Sequence, residues 1–113
     1  MHEMSIVESF LNVAVEHGEK AGAEKIVRIN LVIGDMTGVV KESVEFYFNF
    51  LSRNTLASEA EIGFTEAKTR LRCRECETLF YPDRGNYRCP VCDTPNVDII
   101  AGKELYVESI EIQ

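Results

Sequence analysis

Four cysteines stand as two Cys-x-x-Cys pairs, Cys73 with Cys76 and Cys89 with Cys92, and twelve residues separate the pairs. Each pair can close a tight knuckle whose two sulfurs point at one metal. Two knuckles together supply the four thiolates of a tetrahedral site. A segment as short as 71–93 cannot fold on an apolar core of its own, so a bound metal is what would hold it. Disulfides are not expected. The opening Met1-His2-Glu3 has no basic region, and Glu8 and Glu16 follow in the first helix. That pattern predicts no secretory leader and a cytoplasmic setting, where thiols stay reduced. A thioredoxin-like redox pair calls for one Cys-x-x-Cys beside a βαβ unit, not two.

Zn(II) and iron both accept four thiolates in tetrahedral geometry. The run Cys89-Pro90-Val91-Cys92 resembles the second knuckle of rubredoxin-like iron sites, so an Fe(Cys)4 electron-transfer protein is the alternative reading. Those iron knuckles carry a glycine just after each pair. Here Glu77 and Asp93 stand in those places, which favours zinc. Four protein ligands leave no open coordination position, so this zinc would be structural and not catalytic. The two histidines, His2 and His17, form no HExxH-type pair, and no enzyme activity is expected.

Charge separates the cysteine region from the rest. The chain carries a net −7, with 12 Lys and Arg against 19 Asp and Glu. Residues 71–93 are neutral, with Arg72, Arg74, Arg84 and Arg88 balanced by Glu75, Glu77, Asp83 and Asp93. A Zn(Cys)4 centre would add two further negative charges. The negative charge lies outside, −4 in residues 1–70 and −3 in 94–113. No basic face is offered to nucleic acid or to an anionic membrane, and neither is an expected partner. No apolar run is long enough to span a bilayer.

The remaining pattern predicts an α+β fold in which a three-stranded sheet carries two helices on one face, with a small zinc-ribbon-like domain inserted. A helix is expected over 4–19, with Met4, Val7, Leu11 and Ala14 in its apolar stripe and Ile6, Phe10 and Val13 widening it. Val27, Ile29, Leu31 and Ile33 alternate as one face of a strand over 26–33. A second helix over 41–52 is expected to be the main core element, with Val44, Tyr47, Phe48 and Leu51 inward and Phe46 and Phe50 broadening the contact. A strand over 60–71 runs out as an arm toward the cysteines. Leu79-Phe80-Tyr81 and Asn86-Tyr87-Arg88 can pair as a hairpin. The last strand, 104–112, switches face midway, which suggests a bulge near Ser109. Because that strand follows the cysteines, the expected division is 1–70 with 101–113 as one domain and 71–100 as the insertion.

The N-terminus offers a second metal reading. A histidine at position two can bind through the terminal amine, its backbone amide nitrogen and its imidazole. Nitrogen donors in a plane suit Ni(II) or Cu(II). The Glu3 amide or carboxylate would complete the square. By chemistry alone, the same three residues also read as a polar end leading into a helix.

Taken in order, these features resemble the HypA/HybF family of hydrogenase-maturation nickel metallochaperones. The resemblance covers essentially the whole chain. It rests on Met1-His2-Glu3 with Ser5, the strand end Ile33-Gly34, the two knuckles, and the closing Glu104-Leu105 with Glu108-Ser109-Ile110-Glu111. It implies Ni(II) as transferred cargo, held by His2 with the Met1 amine and the backbone of His2 and Glu3. It implies structural Zn(II) at Cys73, Cys76, Cys89 and Cys92. The partners it implies are a nickel-binding GTPase accessory protein and the large subunit of [NiFe] hydrogenase, with urease accessory proteins for some members. The chain itself would be a monomer or a homodimer.

Overall fold

The computed structural model describes residues 3–113, which build two three-stranded sheets and two helices. Helix α1 (Glu3–Lys20) buries Val7, Phe10, Leu11, Ala14 and Gly18, an i, i+4, i+7, i+11 stripe joined by Phe10. Met4 and Val13, expected in that stripe, are 44% and 43% exposed. Val13 lies about 120° off the centre of the stripe, and Met4 sits in the first turn, past its end. His17 and Lys20 occupy the last turn, where positive charge complements the helix dipole.

Strand β1 (Ile26–Gly34) is the centre of the first sheet and sends Ile26, Ile29, Leu31 and Ile33 into the core. The alternation of apolar residues places Val27 on that face. A register irregularity between Ile26 and Arg28 displaces it and turns the fully buried Ile26 inward instead. Helix α2 (Lys41–Leu51) then crosses over to strand β2 (Glu61–Ala67), which pairs with β1 in parallel. A parallel pair needs such a crossover, so α2 must return over one face of the sheet. It buries only Val44 and Phe48 fully, so α1 contributes more to the core. Phe46 and Phe50 do not broaden the contact and point into solvent. The last strand of the chain pairs antiparallel on the other side of β1. It is labelled β6 (Leu105–Ile112) and completes the order β2-β1-β6. Asn30 faces Ser109 while Leu31 faces Val107, which leaves Glu108 extra. This is the bulge that the change of face near Ser109 suggests.

The second sheet has the order β4-β3-β5, from strands β3 (Arg70–Cys73), β4 (Leu79–Phe80) and β5 (Val97–Ala101). The strand expected over 60–71 is therefore two strands, broken at Lys68 and Thr69 where the chain passes from one sheet to the other. The expected hairpin of 79–81 with 86–88 does not form. Leu79 and Phe80 pair back onto Arg72 and Leu71, because the first knuckle itself makes the tight return. Residues 82–86 close only a bridge between Asp83 and Asn86. The second sheet grows from the ends of the first, and the molecule measures 55 × 25 × 16 Å.

The passage between the sheets is pinned by backbone. Gly34 N–H donates to the Glu104 carbonyl at 2.7 Å and Met36 N–H to the Gly102 carbonyl at 2.9 Å. The Asp35 carboxylate accepts from both the backbone N–H and the hydroxyl of Thr69. A Cβ on Gly34 would fall inside the Gly102 carbonyl, with the Glu104 nitrogen 2.7 Å away. Both obstacles are main chain and cannot rotate aside. Gly34→Ala is expected to cost about 3 kcal/mol, the top of the overpacking range, read as a lowered midpoint in urea unfolding. Among the described residues no helix is long and apolar enough to cross a membrane.

Candidate metal centre

The two knuckles share one backbone pattern. Cys73 N–H donates to the Thr78 carbonyl at 3.0 Å, and Glu77 N–H donates to the Cys73 carbonyl at 3.1 Å. Sixteen residues on, Cys89 N–H donates to the Thr94 carbonyl at 3.0 Å, and Asp93 N–H to the Cys89 carbonyl at 2.9 Å. Closing each loop requires a left-handed residue just after the second cysteine. Glu77 and Asp93 take that conformation, with φ of +62° and +56°. Glycine would do so without steric cost, which is why it is usual there.

The knuckles face each other. The ligand atoms of Cys73, Cys76, Cys89 and Cys92 all lie within 4.8 Å of one another. Cys73 and Cys92 sulfurs are 3.4 Å apart, Cys76 and Cys89 3.5 Å, and Cys76 and Cys92 3.8 Å. A tetrahedral metal with bonds of about 2.3 Å sets its sulfurs about 3.8 Å apart. Disulfide sulfurs would stand about 2.05 Å apart, and all four cysteines are free. Cys73 and Cys89 are buried, Cys76 and Cys92 exposed. The inner sulfurs accept backbone N–H groups at 3.4 Å, Cys73 from Glu75 and Cys76, and Cys89 from Val91.

Crowding splits the outer thiols. Cys76 is lowered to about 6, first by hydrogen bonding to the Thr78 hydroxyl at 3.1 Å and the Thr78 backbone. Cys92 is pushed up to about 12, first by its hydrogen bond with the Cys73 thiol and then by desolvation. Four sulfurs this close do not all shed their protons unaided, and a cation among them removes the conflict. The donor set fits a metal that takes four sulfurs. Structural need points the same way, since Leu71 is the one buried aliphatic side chain between residues 70 and 104.

Thr78 and Thr94 went unnoticed in the sequence, although their signal is present. Both knuckles read Cys-x-x-Cys, an acidic residue, then Thr. Two arginines of this region reach carboxylates, Arg74 with Asp98 at 2.7 Å and Arg88 with Asp93 at 3.5 Å. The expected N-terminal ligands are placed only in part. Met1 and His2 lie outside the described residues, and Glu3 opens α1. His17 lies about 21 Å from Glu3 along the helix axis and cannot join a site there.

A protein-family model described as "Hydrogenase/urease nickel incorporation, metallochaperone, hypA" matches residues 1–112. The hydrogenase maturation factor HypA of Caldanaerobacter subterraneus subsp. tengcongensis is 39% identical over 114 residues, covering 100% of both chains. The factor of the same name from Dehalococcoides mccartyi strain ATCC BAA-2266 is 44% identical over 112 residues, covering 99% of this chain and 94% of that one. The solution structure of the Ni metallochaperone HypA from Helicobacter pylori superposes with a TM-score of 0.71 at 31% identity, covering 99% of this chain and 97% of that one. A second solution structure of a HypA protein gives a TM-score of 0.78 at 30% identity, covering 100% and 97%.

Proposed function

The chain belongs to the HypA family of nickel-incorporation metallochaperones, and from that we propose that it carries Ni(II) at its N-terminus and hands it on during maturation of [NiFe] hydrogenase. The observation that supports this most is the convergence of all four cysteine sulfurs within 4.8 Å. A closed set of four thiolates has no vacant position from which to pass on a cargo ion. The cargo therefore needs other ligands. His2, with the Met1 amine and the backbone of His2 and Glu3, offers a planar donor set suited to Ni(II). Donors on the first residues of a chain can be displaced one at a time by an incoming partner.

In this reading Cys73, Cys76, Cys89 and Cys92 hold Zn(II), which supplies a redox-inert cross-link between the knuckles. The domains divide as 1–70 with 101–113 for nickel and 71–100 for zinc. The partners are a nickel-binding GTPase accessory protein and the hydrogenase large subunit, with urease accessory proteins as a further route. The protein works in the cytoplasm and turns over no substrate. A hydrogenase-producing host that lacks its own family member provides the test. This chain is expected to restore hydrogenase activity and the His2→Ala chain is not. Equal restoration by both would remove His2 from the mechanism.

A further inference from the structure

The four sulfurs of the metal centre divide by exposure. Cys73 and Cys89, the first cysteine of each knuckle, are 0% and 2% exposed. Cys76 and Cys92, the second of each, stand at the surface. The exposed two come from opposite knuckles, and their sulfurs are 3.8 Å apart. Reagents in water therefore reach only these two ligands, and each stands within reach of the other. The inner sulfurs lie a little closer, Cys73 at 3.4 Å from Cys92 and Cys89 at 3.5 Å from Cys76. A disulfide needs about 2.05 Å, so every pair would still have to close. Cys73 and Cys89 are walled in, and backbone N–H groups hold their sulfurs. The exposed side chains are the ones with room to move.

Zinc exchanges no electrons, so oxidation of a zinc-loaded centre falls on its thiolates. We propose that Cys76 and Cys92 form a redox latch, which releases zinc when a hydroperoxide joins them in a disulfide across the knuckles. This rests on Zn(II) occupying the four cysteines. One exposed thiolate attacks the peroxide, its sulfur bonds to one oxygen, and the O–O bond breaks as hydroxide leaves. The other exposed thiolate attacks the resulting sulfenic sulfur, and a second hydroxide leaves as the S–S bond forms. Two electrons pass from the sulfurs to the peroxide, and solvent protons turn both hydroxides into water. Cys73 and Cys89 are then half of the set that structural zinc needs. The zinc departs as Zn(II), and these two thiolates take up protons. A thiol reductant with fresh zinc reverses the change. The signal reaches the whole second sheet, because Leu71 is its one buried aliphatic side chain and the metal holds the rest.

Untagged chain tests this. Its zinc is measured first, and a chain that lacks zinc as purified overturns the proposal together with the reading of the metal. Zinc-loaded chain is then treated with hydrogen peroxide beside a coloured zinc chelator, with the chelator alone as control. Release of about one zinc per peroxide consumed is expected, about tenfold faster or more than with chelator alone. After acid quenching and thiol blocking, peptide mapping should find Cys76 joined to Cys92, with Cys73 and Cys89 blocked as free thiols. Dithiothreitol and Zn(II) should return the zinc to its starting content. Zinc that stays bound under peroxide overturns the proposal and leaves the zinc reading standing. Release with the sulfurs paired in any other way, or with no return of zinc after reduction, overturns it equally.

Discussion

Cys73→Ser is expected to cost the chain its zinc and, with the zinc, the folded second sheet. Three short strands with Leu71 as their one buried aliphatic side chain bury too little apolar surface to offset the entropy of ordering that stretch, and a metal cross-link between the knuckles is what can supply the difference. In amide-resolved NMR, signals from β3, β4 and β5 should collapse toward unfolded shifts. Signals from α1 and β1 should persist, because Val7, Leu11, Ile29, Leu31 and Val44 form a core that uses no metal. Zinc content should fall below one per chain, and a strong chelator should have the same effect on the wild type. Dispersed β3–β5 signals in a zinc-free variant would show that the knuckles fold unaided. The wild type should be colourless as purified, whereas an Fe(Cys)4 electron-transfer protein would be coloured.

His2→Ala is expected to weaken Ni(II) binding by about a hundredfold or more while leaving the zinc in place. Loss of groups that merely orient a ligand costs about 10–100-fold, and here the ligand itself is removed. One extra residue before Met1 should do comparable damage without altering any side chain of the native chain, because it converts the terminal amine into an amide. Acid should act in the same direction. The ligand form of imidazole is neutral, so affinity falls as pH drops through about 6.5, the ordinary histidine range. Isothermal titration of untagged protein, the extended chain and His2→Ala should separate these effects. Equal affinities would place the nickel elsewhere.

Legibility in the sequence followed the range of the interaction. Each cysteine knuckle is a local turn with fixed ligand spacing, so the convergence of Cys73, Cys76, Cys89 and Cys92 could be read directly. The α1 stripe was readable for the same reason, since its period lies within a single helix. The bulge near Ser109 showed as a change of face within β6. In α2 the pattern failed because apolar side chains point in nearly every direction. Phe46, Tyr47, Phe48 and Phe50 fit a core equally well by period, and only the placement of the sheet decides among them. Ile26 and Val27 are both apolar, so the bulge that exchanges them left no trace. Leu79 pairs with Arg72 across a knuckle, and Asp35 holds Thr69 from 34 residues away, contacts that no local pattern encodes. The reading of His2 as a ligand depended on resemblance to a family, because the chemistry of a Met-His start is equally at home on an ordinary helix leader.

Nickel-edge X-ray absorption on untagged chain loaded with one Ni(II) and one Zn(II) tests the separation of the two metals most directly. Nickel held by the Met1 amine, His2 and the local backbone should show four nitrogen or oxygen neighbours in a planar pattern and no sulfur, while the zinc edge shows four sulfurs. A sulfur shell around nickel would contradict this. It would place the cargo among Cys73, Cys76, Cys89 and Cys92 and leave the N-terminus without its proposed role.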